Sequence, residues 1–199
     1  MGYSASERAL LLRVAHASIA NGLQTGKPLA VMAADYPAPL TEQRASFVTL
    51  THAGELRGCI GSLEARRMLV EDVASNAFAA AFRDPRFPPL QMQEFAVLDI
   101  QVSVLGTPEP VAFASEQELL ENLRPGVDGL ILEEKHARGT FLPSVWESLP
   151  QPEDFLRHLK LKAGLPADYW SATLRIWRYT TESFSAPAAV AGDPGLNAG

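Results

Sequence analysis

Cysteine is nearly absent: the 199-residue chain has one, Cys59. A lone thiol excludes an intrachain disulfide framework, a Cys₄ zinc site and a three-cysteine iron–sulfur cradle, so this chain cannot itself be a radical-SAM enzyme. It suits a reducing compartment, and a cytoplasmic location is expected. Positive charge is also scarce. Lys and Arg number 17 against 23 Asp and Glu, for a net charge of −6, which argues against nucleic-acid binding because that needs a basic face. The four histidines include no pair at i, i+3 or i, i+4, and there is no CxxC, so no metal site is expected. Walker and dinucleotide fingerprints are missing, and no cofactor is expected. No apolar run is long enough to cross a bilayer, and the N-terminus lacks the basic-then-apolar pattern of a signal peptide.

What is present is apolar: 47% of residues are hydrophobic, enough for the core of one ordinary domain. A stripe of Leu10, Leu11, Val14, Ala15 and Ile19 predicts a helix over Ser6–Asn21, with Gly22 as its stop and His16 on the surface. Ala45–Thr51 reads as a strand, joined through Gly54 to a second strand as a hairpin. Leu69, Val73, Ala77 and Ala81 predict a helix over Arg66–Phe82 whose thin alanine face sits close to a sheet. Leu98–Leu105 alternates apolar Ile100, Val102 and Val104 with polar Asp99, Gln101 and Ser103, the signature of an antiparallel strand with one polar face. Further strands are expected over Leu130–Glu133 and Thr173–Thr180, and a helix begins at Pro152 and ends at Gly164. Unequal helices, hairpins and no βαβ rhythm indicate an α+β fold, a mainly antiparallel sheet flanked by helices. Residues 1–184 are expected to form a single domain. Residues 185–199, rich in Ala, Pro and Gly, read as a disordered tail.

The chemistry concentrates in the second strand of the hairpin, Leu56-Arg57-Gly58-Cys59-Ile60-Gly61. Strict alternation puts Arg57 and Cys59 on one face, about 7 Å apart. A guanidinium at that distance favours thiolate over thiol, which makes Cys59 a candidate nucleophile with Arg57 as its activator. Gly58 and Gly61 mark a bulge or a close approach. The alternative is equally physical: a free cysteine is a small buried hydrophobe. His52 and His136 are the candidate bases, and no spacing fixes either beside Cys59. Arg66 and Arg67, entering a helix just after Cys59, make a candidate anion site for a small ligand. Asp84 and Arg86 can pair across the intervening proline. The short link after Gly61 predicts an antiparallel return of the helix, which places Asp84, Arg86 and Phe87 near His52 and Leu56, and Arg66 and Arg67 nearer Cys59.

LRGCIG resembles the signature of the AMMECR domain family. Asp84-Pro85-Arg86-Phe87-Pro88-Pro89-Leu90, Ile100–Leu105, Gly126-Val127-Asp128-Gly129-Leu130 and Phe141-Leu142-Pro143-Ser144-Val145 follow in the family's order, so the resemblance spans residues 6–184. It implies an α+β fold with a larger and a smaller lobe, and it brings no agreed biochemical activity. Bacterial members look like the first component of a three-protein system with a Memo-type protein and a radical-SAM enzyme. Two functions follow. One is an enzyme or small-ligand protein with Cys59 in a cleft, where Gly58, Gly61, His52, Arg66, Arg67, Asp84 and Arg86 bind the ligand or partner. The other is an interaction module in which Cys59 is structural; it would show an exposed apolar patch beside the LRGCIG strand. Trp146, Trp170, Trp177 and Phe87 are the available aromatic anchors.

Overall fold

The computed structural model describes residues 2–192. Its elements run α1 (Ala5–Thr25), α2 (Ala38–Thr41), β1 (Ser46–His52), β2 (Glu55–Gly61), α3 (Leu69–Phe82), α4 (Met92–Phe95), β3 (Leu98–Leu105), β4 (Glu109–Pro110), α5 (Glu116–Asn122), β5 (Gly129–Glu134), β6 (Ala137–Phe141), α6 (Pro152–Lys162), β7 (Arg175–Tyr179), β8 (Thr181–Pro187) and α7 (Ala188–Ala191). The described residues divide into two compact units, 2–105 with 182–192, and Gly106–Thr181. Among the described residues no helix is long and apolar enough to cross a membrane. The α+β class, with antiparallel sheets and flanking helices, is as the sequence indicates.

The larger unit is a sheet of order β2-β1-β3-β8. Val48, Leu50, Ile100 and Val102 share one core with Leu11, Val14 and Ile19 of α1 and Val73, Ala77 and Ala80 of α3. Helix α1 is longer than its stripe suggests. Ser4 caps it, two residues ahead of the expected start, accepting from the Glu7 N–H while the Glu7 carboxylate accepts from the Ser4 N–H at 2.8 Å. It runs through Gly22, which packs against Phe78 and Phe82, and stops at Gly26, whose φ of 71° is left-handed. Helix α3 starts at Leu69 rather than Arg66. The preceding residues are held in extended pairing, with a bridge between Gln43 and Met68 and a bond from the Leu69 N–H to the Glu42 carbonyl. Buried Asp72 then ties the first turn of α3 to both strands, accepting from the Ser46 N–H at 2.9 Å, Ser62 Oγ at 2.6 Å and Asn76 Nδ2 at 2.9 Å.

The tail expected to be disordered from Ser185 is ordered through Gly192. Strand β8 extends the sheet beyond β3, and the Ser103 and Ser183 hydroxyls meet at 2.8 Å. Ala188 and Ala191 are buried, because a sheet edge and a core slot supply partners that the composition alone cannot reveal. Residues 193–199 lie outside the described residues. His16, expected on the surface, is half-buried: it stacks on Phe95 at 4.7 Å and abuts Gly192, and burial lowers its pKa.

The smaller unit is a sheet of order β4-β7-β5-β6 with α5 and α6 packed around it. Trp146 belongs to this core, stacked 3.8 Å from Phe155. The Gly126–Leu130 and Phe141–Val145 motifs are joined structurally. Trp146 Nε1 donates to the Asp128 carbonyl at 2.7 Å, and the buried Asp128 carboxylate accepts from the Arg124 N–H at 3.0 Å.

Both glycines of LRGCIG are required by contact. A Cβ on Gly58 would lie 2.2 Å from the Ala80 carbonyl oxygen, and one on Gly61 would lie 2.2 Å from the Phe47 ring. The first obstacle is backbone and the second a side chain that can rotate. Gly58→Ala is therefore expected to cost about 1–3 kcal/mol and Gly61→Ala clearly less, read from urea unfolding midpoints; the reverse ranking would show that α3 does not press on β2 as described.

Candidate functional site

The site is built on an edge strand. Strand β2 pairs only with β1 in its sheet, so its outer backbone groups need other partners. The hairpin turn is Ala53-Gly54, both with positive φ (51° and 83°), the geometry of a two-residue primed turn. Register runs Thr49↔Cys59 and Leu50↔Gly58, then jumps to Thr51↔Leu56, so Arg57 is the extra residue of a bulge. The bulge breaks the alternation on which the Arg57–Cys59 pairing rested.

Arg57 is committed elsewhere. Its Nε donates to Glu94 Oε1 at 2.7 Å, and its Nη2 donates to Glu94 Oε2 at 3.1 Å and to the Pro88 carbonyl at 3.0 Å. This bidentate pair holds the Glu94 carboxyl below the usual carboxylate range. Nη1 is buried with no hydrogen-bond partner, and the Phe87 ring centroid lies 5.9 Å from the guanidinium carbon.

The loop at Asp84–Leu90 supplies what the edge lacks. Asp84 Oδ2 accepts from the Cys59 N–H at 2.9 Å, and Arg86 Nη2 donates to the Cys59 carbonyl at 3.2 Å. The two side chains are joined at 2.7 Å, so together they satisfy Cys59 as a neighbouring strand would. Asp84 has 2% of its side chain exposed, Arg86 53%. Hydrogen bonding from Arg86, then from the Cys59 and Arg86 amides, holds the Asp84 carboxyl far below its ordinary pKa despite burial. Phe87 lies between two cations, its ring 5.5 Å from Arg86 as well as near Arg57.

Cys59 is half-buried, with its sulfur 3.2 Å from Thr49 Oγ1. The antiparallel return of α3 holds in outline, but the loop meets β2 at Cys59 and runs along it to Arg57. Asp84 and Arg86 therefore do not sit at His52 and Leu56, where they were expected. The return falls short because α3 begins three residues late and leaves the sheet above Gly58. Arg66 and Arg67 are not brought to Cys59. Arg66 pairs with Glu64 and Arg67 donates to Ser75 Oγ at 2.9 Å, and both line a cleft of about 600 Å³ that starts at Gly61 and includes Ser62, Asp72 and Asn76. His52 is exposed at the hairpin tip, and His136 is exposed on the other unit. Among the described residues no cluster of His, Cys, Asp and Glu is arranged to hold a metal ion.

Glu94 and Thr49 are the residues that sequence reasoning missed. Glu94 had a signal, the Gln91-x-x-Glu94 spacing, and its carboxylate does accept from the Gln91 N–H at 2.9 Å. Thr49 had none, since its position opposite Cys59 depends on the bulge.

Asp84→Asn is expected to cost about 1.5–3 kcal/mol near neutral pH, in the range for hydrogen bonds to a charged group. The native pKa lies below the unfolded value of about 3.9, so the wild-type advantage is complete above that value and is lost as pH falls further. Stability curves of the two proteins should run parallel from about pH 7 to 5 and converge below about pH 4. A gap that stays constant at acid pH would contradict the pairing.

A family description, AMMECR1, matches residues 12–184. A protein of Methanothermobacter thermautotrophicus is 37% identical over 187 residues, covering 91% of this chain and 95% of that relative. Protein MJ0810 of Methanocaldococcus jannaschii is 39% identical over 186 residues, covering 89% of each. The crystal structure of the uncharacterized protein PH0010 from Pyrococcus horikoshii aligns with a TM-score of 0.83 at 35% identity, over 90% of this chain and 91% of that one. With LRGCIG on the edge strand of a fold shared at that level, the chain belongs to the AMMECR1 family.

Proposed function

We propose that this chain is the interaction component of a three-protein system whose other members are a Memo-type protein and a radical-SAM enzyme, and that it engages a protein partner at the hairpin end of the LRGCIG strand. The observation that carries the reading is an apolar surface there. Leu56 is 43% exposed, Met92 56% and Val97 57%. Leu56 adjoins Arg57, while Met92 and Val97 flank Glu94, and the Arg57–Glu94 ion pair joins the two segments. The two arginines of this edge are already paired, Arg57 with Glu94 and Arg86 with Asp84, and the exposed carboxylates of Glu55 and Asp99 stand at the rim. Apolar side chains set among satisfied polar groups are the composition of a protein interface. In this reading Gly58, Gly61, Asp84 and Arg86 shape the strand, His52 stands at the rim, and Cys59 is structural.

A second reading, binding of a small anionic ligand, has its own support. The cleft beyond Gly61 is lined by Ser62, Arg66, Arg67 and Asn76, and Arg67 has a hydroxyl but no carboxylate as partner among the described residues. A thiol reaction at Cys59 has less support, because Arg57 is neutralised by Glu94 and the sulfur's hydrogen-bond partner is a threonine hydroxyl.

Sedimentation of the purified chain with the Memo-type protein and with the radical-SAM enzyme separates these readings. Replacing Leu56, Met92 and Val97 together by Glu should weaken complex formation at least about tenfold, while Cys59→Ser should bind as the wild type does. Loss of the complex in Cys59→Ser with the triple variant unaffected would refute the interaction reading.

A further inference from the structure

The smaller unit carries a cleft that nothing above uses, and it opens where β7 loses its neighbour. Strand β4 ends at Pro110, and the Val111 N–H then donates to the Ile176 carbonyl at 2.9 Å. Beyond that bond, residues 111–114, 170–172 and 174–177 surround a space of about 640 Å³, within the range of small-molecule sites, roughly 300–1,000 Å³.

Its lining combines broad aromatic surface with small residues. Phe113 and Trp170 pair at 5.6 Å with a 55° tilt, and Trp177 lies across the cleft lining under the Arg175 guanidinium, 5.4 Å from its ring centroid. Ala112, Ala114 and Ala172 leave depth between them. Among the described residues, Arg175 is the one ionic side chain in the lining. It is two-thirds exposed, and its contact with Glu133 is long, at 3.5 Å. The carboxylates behind the lining have other partners, Glu133 taking the Arg138 Nε at 3.1 Å and Glu134 accepting from Ser171 and Thr173, so the charged group that faces the aromatic cleft is the Arg175 guanidinium. A cationic ligand would find no carboxylate in the lining to pair with, and a neutral one would leave the guanidinium fork unused.

We propose that this cleft binds a planar aromatic acid. The ring system lies against Trp170 and Trp177, and the carboxylate takes the two parallel N–H donors of Arg175. The proposal stands independently of the partner reading above.

Calorimetric titration of the full chain with 2-naphthoate and its neutral isostere 2-naphthamide tests it. The acid should bind with one-to-one stoichiometry and at least about tenfold tighter than the amide, the difference that a charge-assisted pair supplies. Arg175→Gln should lower the acid to the amide's affinity, since Arg175 is exposed and its loss leaves the fold intact. Ala112→Trp, at an exposed position, should fill the space and abolish both; Ala172→Trp does the same should the first variant melt early. Equal affinity for acid and amide, no binding of either, or binding unchanged when the cleft is filled would overturn the proposal.

Discussion

The Asp84 carboxylate on the Cys59 amide is the contact on which the larger unit's edge depends. A strand at the end of a sheet leaves alternate N–H and C=O groups without partners, and such an edge invites pairing with any other strand. Here one aspartate and one arginine, two residues apart on a proline-rich loop, close both groups of a single residue. Asp84 bears the burial, with 2% of its side chain exposed, and Arg86 bears the solvent contact. The arrangement needs the loop to lie close, which needs α3 to lie close. That in turn needs Gly58, since any side chain there would strike the Ala80 carbonyl.

This chain of dependence shapes the functional reading. An arginine beside a cysteine suggests an activated thiol, but the bulge at Arg57 turns that arginine to Glu94. Both arginines at LRGCIG are therefore matched by a carboxylate, and the hairpin end exposes aliphatic surface, Leu56 with Met92 and Val97 beside the same ion pair, edged by Glu55 and His52. Exposed aliphatic side chains with a polar rim, and an arginine already committed to Glu94, favour a protein surface over a reacting group.

Much of the fold was legible, because its signals are local. Strand β3 occupies Leu98–Leu105 as its alternation indicates, Gly54 makes the hairpin turn, and Pro152 opens α6. Three features were not legible, each for a non-local reason. The bulge at Arg57 is a property of the β1–β2 register, which no single strand encodes. Helix α3 begins at Leu69 because residues 67–69 pair with residues 42–44, a competition invisible in helical periodicity. Strand β8 reads as a tail because Ser, Ala and Pro carry little strand propensity, and it exists because β3 provides an edge to pair with. At the site, the two motifs that define it were visible, and so was the Asp84–Arg86 pair. Their meeting at the Cys59 backbone depends on where α3 leaves the sheet.

Hydrogen exchange at the Cys59 amide reads out whether the Asp84 loop closes the edge of β2. That N–H points away from β1 on an edge strand, so without the Asp84 acceptor it would exchange as an open amide. With Asp84 bonded to it, the Cys59 amide should be protected as well as the interior rungs of β1. Exchange at the rate of an unbonded amide would mean that the loop does not close the edge, and the dependence traced from Gly58 through α3 to Asp84 would fail with it.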